Sequence, residues 1–248
     1  MHLGLIGKSL SHSFSKSYLE TKFIKENKSG YSYTNFDLTN LDDLTDIIKT
    51  HHLMGLNVTK PYKESIIPFL DEIDTMALKI GAVNCIKVKW ENDCPFLIGY
   101  NTDFYGFSQS IKPFLEPIHQ RALILGTGGA SKAVAYALKN VGIDVYFVSK
   151  GDKKQANVLN YQELNTYIMQ SFKLIVNCTP LGMYPEVNSC PEIPFQFLDS
   201  EHLLFDLIYN PEETVFLQNG KANGAVIING LNMLKLQADK AWDIWHSE

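Results

Sequence analysis

The segment NVTKPYKE, Asn57 to Glu64, places two lysines three residues apart with a proline between them. A lysine ammonium can hand a proton to an oxygen on which negative charge develops, provided something holds it in place. Pro61 reads as a helix start, which puts Lys63 in the first helical turn. Lys60, just before the proline, is held extended and outside the helix. The positive end of the helix dipole disfavours a cation at Lys63 and so biases it toward proton transfer. Lys60 is read as a solvent-facing side chain. The carboxylate able to hold Lys63 is Asp103, in YNTD, whose competing reading is the N-cap of a helix from Phe104 to Ile111.

Other polar residues stand where turns follow apolar strands. His12-Ser13-Phe14-Ser15 sets two hydroxyls two positions apart at a helix entrance. Hydroxyls beside unpaired backbone N–H groups suit an anion such as a carboxylate, although capping alone explains one serine. His12 is read as a structural or surface residue. Thr59 flanks the start at Pro61, and Asn84 and Asn101 end or enter apolar strands, where each also fits a buried turn.

A second chemistry is written further along. Leu123-Ile124-Leu125 runs into Gly126-Thr127-Gly128-Gly129-Ala130-Ser131 and then an alanine-rich stretch. Glycines between a strand and a helix let backbone N–H groups approach a pyrophosphate, so this context suits a dinucleotide. Ser131 replaces the third glycine of the usual fingerprint and is small enough for close packing. A plain tight turn is the alternative. After the next strand stands Ser149-Lys150-Gly151-Asp152-Lys153-Lys154. Its lysines favour the 2′-phosphate of NADP, whereas Asp152 suits the ribose hydroxyls of NAD.

The elements that must position these residues follow from periodicity. Strand-like runs at His2 to Gly7, Tyr33 to Leu38 and Leu53 to Thr59 alternate with helical patterns at Phe14 to Ile24 and Leu41 to His51. Ala82 to Trp90 and Pro95 to Tyr100 read as two strands joined at Glu91-Asn92-Asp93. Past Asp103 come a linking helix, the strand–turn–helix–strand of the glycine turn, and strands at KLIVNCT, HLLFDLIY and GAVIIN. The final pattern, LNMLKLQADKAWDIW, is helical. This alternation predicts an α/β protein with parallel sheets in two units, with a seam near residue 103.

The bulk composition narrows the class. The chain has 248 residues, 45% hydrophobic and 20% charged, with a formal net charge of -5. Such a surface has no general attraction for nucleic acid or an anionic membrane, and no apolar run reaches the roughly 18 residues of a membrane helix. MHLGLIGKSLSHS has no basic opening, so a secretory signal is not expected. Cys85, Cys94, Cys178 and Cys190 form no C-x-x-C pair and have no histidine at ligand spacing, so a reduced, metal-free, cytoplasmic protein is expected.

Eight stretches, in order along the chain, together resemble the shikimate dehydrogenase family: SHSFS, GLNVTKPYKE, GAVNCI, GYNTD, GTGGAS, NCTPLGM, DLIYNPEET and GLNMLKLQA. The resemblance implies an N-terminal α/β substrate domain of residues 1–103 completed by the C-terminal helix 231–248. It implies a Rossmann-type NADP-binding domain at 104–230, with the active site in the cleft between the two. The implied activity is reversible reduction of 3-dehydroshikimate to shikimate by NADPH, in aromatic amino-acid biosynthesis. By motif match Lys63 and Asp103 are catalytic. Ser13 and Ser15 hold the substrate carboxylate, Thr59, Asn84 and Gln237 its hydroxyls and reacting oxygen, and Tyr209 sits nearby. Gly126, Thr127, Gly128, Gly129, Ala130, Ser149, Lys150, Lys154, Thr179 and Gly230 are implied at the cofactor. A monomer or homodimer without metal, nucleic-acid or membrane partners completes the expectation.

Two departures from the family pattern bear on this. Lys60 stands where many relatives carry an apolar residue. Ser149-Lys150-Gly151 stands where Asn-Arg-Thr or Asn-Arg-Ser is common, and lysine lacks arginine's bidentate grip on a phosphate. The stretch between Lys154 and Phe172 is also short. Competing readings are a quinate/shikimate dehydrogenase using NAD(H), a methylene-tetrahydrofolate dehydrogenase, which would not need the S-x-S and terminal glutamine, and a non-catalytic NADP(H) sensor, which has no use for an acid/base pair.

Overall fold

The structure is a computed structural model that describes residues 1–8, 10, 14–151 and 156–247. The chain divides into two compact units, Met1–Asp103 with Gln237–Glu248, and Phe104–Leu236.

The first unit contains β1 (His2–Gly7), α1 (Phe14–Lys25), β2 (Ser32–Asp37), α2 (Leu44–His51), β3 (Leu53–Val58), α3 (Tyr62–Ser65), β4 (Glu72–Ile73), α4 (Thr75–Ile80), β5 (Cys85–Glu91) and β6 (Cys94–Tyr100). Among the described residues its strands form a six-stranded sheet in the order β2-β1-β3-β5-β6-β4. β1 pairs parallel with β2 and β3, whereas β5 pairs antiparallel with β3 and β6. The join expected at Glu91-Asn92-Asp93 is a hairpin, and it makes this sheet a mixed one. The cause is local: Asn92 and Asp93 both adopt positive φ, 50° and 62°, which closes β5 onto β6 through a two-residue hairpin. A hairpin reverses the chain, and the strands after it cannot all run one way.

One face of this sheet buries Ile6, Leu44, Ile48, Leu56, Val58, Ile66 and Ile86. The other buries Leu3, Leu5, Leu19 and Phe23 together with Ala241, Trp242 and Trp245 of the C-terminal helix α9 (Leu231–His246). Trp245 Nε1 donates to Ile86 O at 3.0 Å, and the buried Lys87 ammonium donates to Ser247 O and, at 3.0 Å, to Ser247 Oγ. A cation at the carboxyl end of α9 complements the helix dipole. Apolar packing and these caps bring Gln237 into the unit that holds residues 1–103.

The second unit contains α5 (Asp103–Ile111), β7 (Arg121–Leu125), α6 (Gly129–Asn140), β8 (Asp144–Ser149), β9 (Val158–Asn160), α7 (Thr166–Ser171), β10 (Leu174–Asn177), β11 (Leu203–Asp206), α8 (Val215–Ala222) and β12 (Val226–Ile228). Its sheet, order β12-β11-β10-β7-β8-β9, is parallel at every described pairing. Strands buried on both faces read as continuous apolar runs, as in Leu123, Ile124, Leu125 and Leu174, Ile175, Val176. The order reverses at β7, so the loops after β7 and β10 diverge where ligands bind in open sheets of this kind.

Candidate functional site

Lys63 lies in α3, which is a single turn with Pro61 at its N-cap. So short a helix supplies little of the dipole expected from the sequence, and the group that acts on Lys63 is a carboxylate instead. Lys63 Nζ donates to Asp103 Oδ2 at 2.6 Å, with side chains only 18% and 7% exposed. Asp103 opens α5, but its oxygens face this network: Oδ1 accepts from Asn84 Nδ2 at 2.8 Å. The backbone adds a tie, since Val83 N–H donates to Lys63 O at 2.7 Å. Lys60 is exposed.

Asn84 is buried and joined to more than Asp103. Its Nδ2 also donates to Thr102 Oγ1 at 3.0 Å, and its Oδ1 accepts the Thr102 N–H at 2.6 Å. Thr102 Oγ1 in turn lies 3.3 Å from Gln237 Oε1 as donor. Lys63, Asp103, Asn84, Thr102 and Gln237 thus form one polar chain. A lysine ammonium has three donors, so one used by Asp103 leaves two for an oxygen of a bound molecule. The arrangement is an oriented proton donor held in a buried network of carboxylate, amide and hydroxyl groups.

Sequence reasoning missed Thr102, although it sits inside the quoted YNTD; a hydroxyl between two candidate residues was the available signal. It also missed a buried support under Asn84. Tyr33 OH donates to Asn57 Oδ1 at 2.7 Å, and Asn57 Nδ2 donates to Asn84 O at 3.4 Å. Burial first, and Cys85 beside it, hold the Tyr33 phenol well above its ordinary value, so it remains a donor. Asn101, one of the residues singled out, is a turn former here: its Nδ2 donates to Ala82 O at 2.9 Å.

Thr59 is half-buried; its N–H donates to Ile6 O and its carbonyl accepts from Tyr62 N–H, both at 2.9 Å. Ser15 is half-buried in the first turn of α1. Tyr209 is half-buried just past β11. Ser13 and His12 lie outside the described residues, as do Asp152, Lys153 and Lys154.

In the second unit the glycine turn links β7 to α6. Gly126 has φ 101° and Gly128 is the N-cap of the twelve-residue α6. A side chain at Gly126 would be strained and would crowd Thr179 Cγ2 at 3.2 Å, whereas a Cβ on Gly128 would meet nothing within 4 Å. Open space before Gly128, at the amino end of a twelve-residue helix, is a cradle that fits a dinucleotide phosphate. Thr127 is half-buried in the same turn. Thr179 borders it, its N–H and hydroxyl both donating to Asn177 Oδ1 at 3.0 and 2.7 Å.

Beyond the turn, Ser149 Oγ accepts from Gly151 N–H at 3.4 Å. Lys150 is exposed, 3.9 Å from Glu192. Gly230 is buried at the start of α9, its N–H donating to Ile208 O at 2.9 Å. Among the described residues no group of three or more His, Cys, Asp or Glu could hold a metal ion, and no helix is long and apolar enough to cross a membrane.

The chain is similar to known proteins along nearly its whole length. A family model described as the shikimate dehydrogenase substrate binding domain matches residues 5–86. The NADP(+) shikimate dehydrogenase of Methanococcus aeolicus is 39% identical over 98% of this chain and 91% of that protein. The crystal structure of shikimate dehydrogenase 1 from Peptoclostridium difficile superposes with a TM-score of 0.85 at 39% identity, covering 98% of this chain and 90% of that one. That of the Thermus thermophilus shikimate 5-dehydrogenase, in complex with NADP(H) and shikimate, gives a TM-score of 0.84 at 29% identity, covering 99% and 93%. Likeness of this degree, over nearly the whole chain, places the protein in the shikimate dehydrogenase family.

Proposed function

We propose that the protein catalyses the reversible, NADPH-dependent reduction of 3-dehydroshikimate to shikimate. The observation that carries this is the 2.6 Å Lys63–Asp103 pair, braced by Asn84 inside the unit that resembles the family's substrate domain. NADPH, when bound, supplies the hydride that reaches the substrate carbonyl carbon.

The residues of the chain do the rest. Lys63 places an N–H on the carbonyl oxygen and transfers its proton as charge builds there. Asp103 holds the ammonium in position and compensates its charge. Gln237 and Asn84 hold ring hydroxyls, with Thr59 and Tyr209 beside them, while Ser15 and Ser13 take the substrate carboxylate. In the reverse direction neutral Lys63 accepts the proton from the alcohol. Residues 1–103 with 231–248 form the substrate domain in this proposal, and residues 104–230 the nucleotide domain. There the turn Gly126–Ala130 takes the pyrophosphate and Thr179 and Gly230 line the nicotinamide end. Ser149, Lys150 and Lys154 hold the adenosine 2′-phosphate. A monomer or homodimer in the cytoplasm belongs to the same reading, in keeping with four free cysteines.

The test is to follow oxidation of NADPH and, separately, NADH at equal concentration in the presence of 3-dehydroshikimate. Rapid oxidation of NADPH and slow oxidation of NADH is the expected result. Equal rates remove the phosphate role of Lys150 and its neighbours, and oxidation of neither removes the proposed reaction.

A further inference from the structure

One buried ionisable group has no part in the chemistry above. Asp206, fully shielded from solvent, ends β11. Its Oδ1 accepts from Asn177 Nδ2 at 3.1 Å and from Ile208 N–H at 3.0 Å, and its Oδ2 accepts from the Thr214 hydroxyl at 2.6 Å. Thr214 is the N-cap of α8. Asn177, the last residue of β10, turns its Oδ1 to the Thr179 N–H and hydroxyl, and Thr179 borders the turn at Gly126. One carboxylate therefore ties the segments that follow β10 and β11 and, through Thr179, reaches the turn that follows β7.

We infer that Asp206 is a positioning residue for the dinucleotide site: acting through Asn177, it holds Thr179 against the Gly126 turn and so sets the affinity for NADP(H). This rests on the cofactor reading proposed above. The argument is one of donors and acceptors. An ionised carboxylate only accepts, so Asn177 must present its NH₂ to Asp206 and its carbonyl to Thr179, where two donors wait. An amide or a protonated acid at position 206 carries a donor of its own, and that orientation is no longer forced.

Burial pushes Asp206 up to about 6, against the pull of Thr214, the Ile208 N–H and Asn177. Cys190 is its titratable neighbour, raised to about 11 by burial and then by Asp206 itself. The other partners are uncharged. A carboxylate kept ionised at neutral pH in so dry a place is costly, and the ordering of three segments offsets that cost.

The experiment uses the full chain and its Asp206→Asn, Asn177→Ala and double variants. NADP⁺ binding is measured by calorimetry at about pH 7.5 and about pH 5.5, on either side of the Asp206 titration. KM for shikimate is measured on the same preparations. Each single variant is expected to weaken NADP⁺ roughly tenfold at the higher pH, the double no more than the weaker-binding single, as coupled residues do. The gap between Asp206→Asn and wild type should close at the lower pH, where wild-type Asp206 gains its own proton, with KM for shikimate within about twofold. Unchanged NADP⁺ binding by Asp206→Asn, independent effects that multiply in the double variant, or an equal rise in KM for shikimate would overturn the inference. If Asp206→Asn does not fold, Asn177→Ala decides: weaker NADP⁺ binding supports the relay and unchanged binding ends it. A wild type that binds no NADP⁺ overturns the cofactor reading and this inference with it.

Discussion

The Thr102 hydroxyl and the Gln237 carboxamide oxygen lie 3.3 Å apart although 135 positions separate them in the chain. The hydroxyl has a single hydrogen and takes the Asn84 Nδ2 donor at 3.0 Å. That hydrogen is within reach of two acceptors, Asn84 Oδ1 at 3.2 Å and Gln237 Oε1 at 3.3 Å, so Thr102 links the two carboxamides.

Thr102→Val keeps the shape and removes the hydroxyl. It should raise KM for shikimate roughly three- to tenfold and cost about 1–2 kcal/mol of stability, because buried amide groups lose a partner. Thr102→Ser should restore both. Steady-state kinetics with a urea titration of each variant checks this, and a valine variant with wild-type KM would sever Thr102 from ligand recognition.

Lys63→Ala should lower kcat by about 10²–10⁴ with a smaller effect on KM, since the lost interaction is with charge that develops during reaction. Lys60→Ala should leave kcat nearly unchanged, its side chain being exposed. A steep rise in KM with kcat intact would make Lys63 a binding residue, and a comparable collapse at Lys60 would reverse the two roles.

Gly230→Ala is a test of packing at the start of α9. A Cβ there would run into the Leu207 carbonyl, and the Gly230 N–H to Ile208 O bond at 2.9 Å would have to lengthen. Backbone is the least yielding neighbour, so a loss of about 2–3 kcal/mol is expected by chemical denaturation. An alanine variant as stable as wild type would show that residues 207 and 230 are not held in this approach.

Asp206 makes a prediction about stability as well as binding. Its folded value of about 6 lies above the ordinary 3.8, so the folded state takes up the proton more readily. The stability this supplies is fully present below about pH 4 and lost as pH rises through about 6. The difference in unfolding free energy between wild type and Asp206→Asn should therefore shift toward wild type by up to about 3 kcal/mol on going from pH 7 to pH 4. A pH-independent difference between the two would mean that Asp206 is not the group that titrates there.

Local chemistry alone determined a good deal of this protein. The turn from Leu125 through Gly126 to Ala130 needs glycine where φ is positive, and that demand acts within a few residues. The hairpin at Asn92-Asp93 and the apolar stripe of α9 are likewise set by neighbours in sequence, and Lys63 and Asp103 could be singled out by residue type beside a proline and a strand end. Tertiary structure decided the rest. It reduced the helix at Lys63 to one turn and replaced its dipole with a carboxylate 40 positions away. It also made a relay of Thr102 and an anchor of Asp206, neither of which stands out by composition. Propensity and periodicity act over one or two turns of chain, whereas a buried polar group is satisfied by whichever donor or acceptor the packed sheets bring within 3 Å.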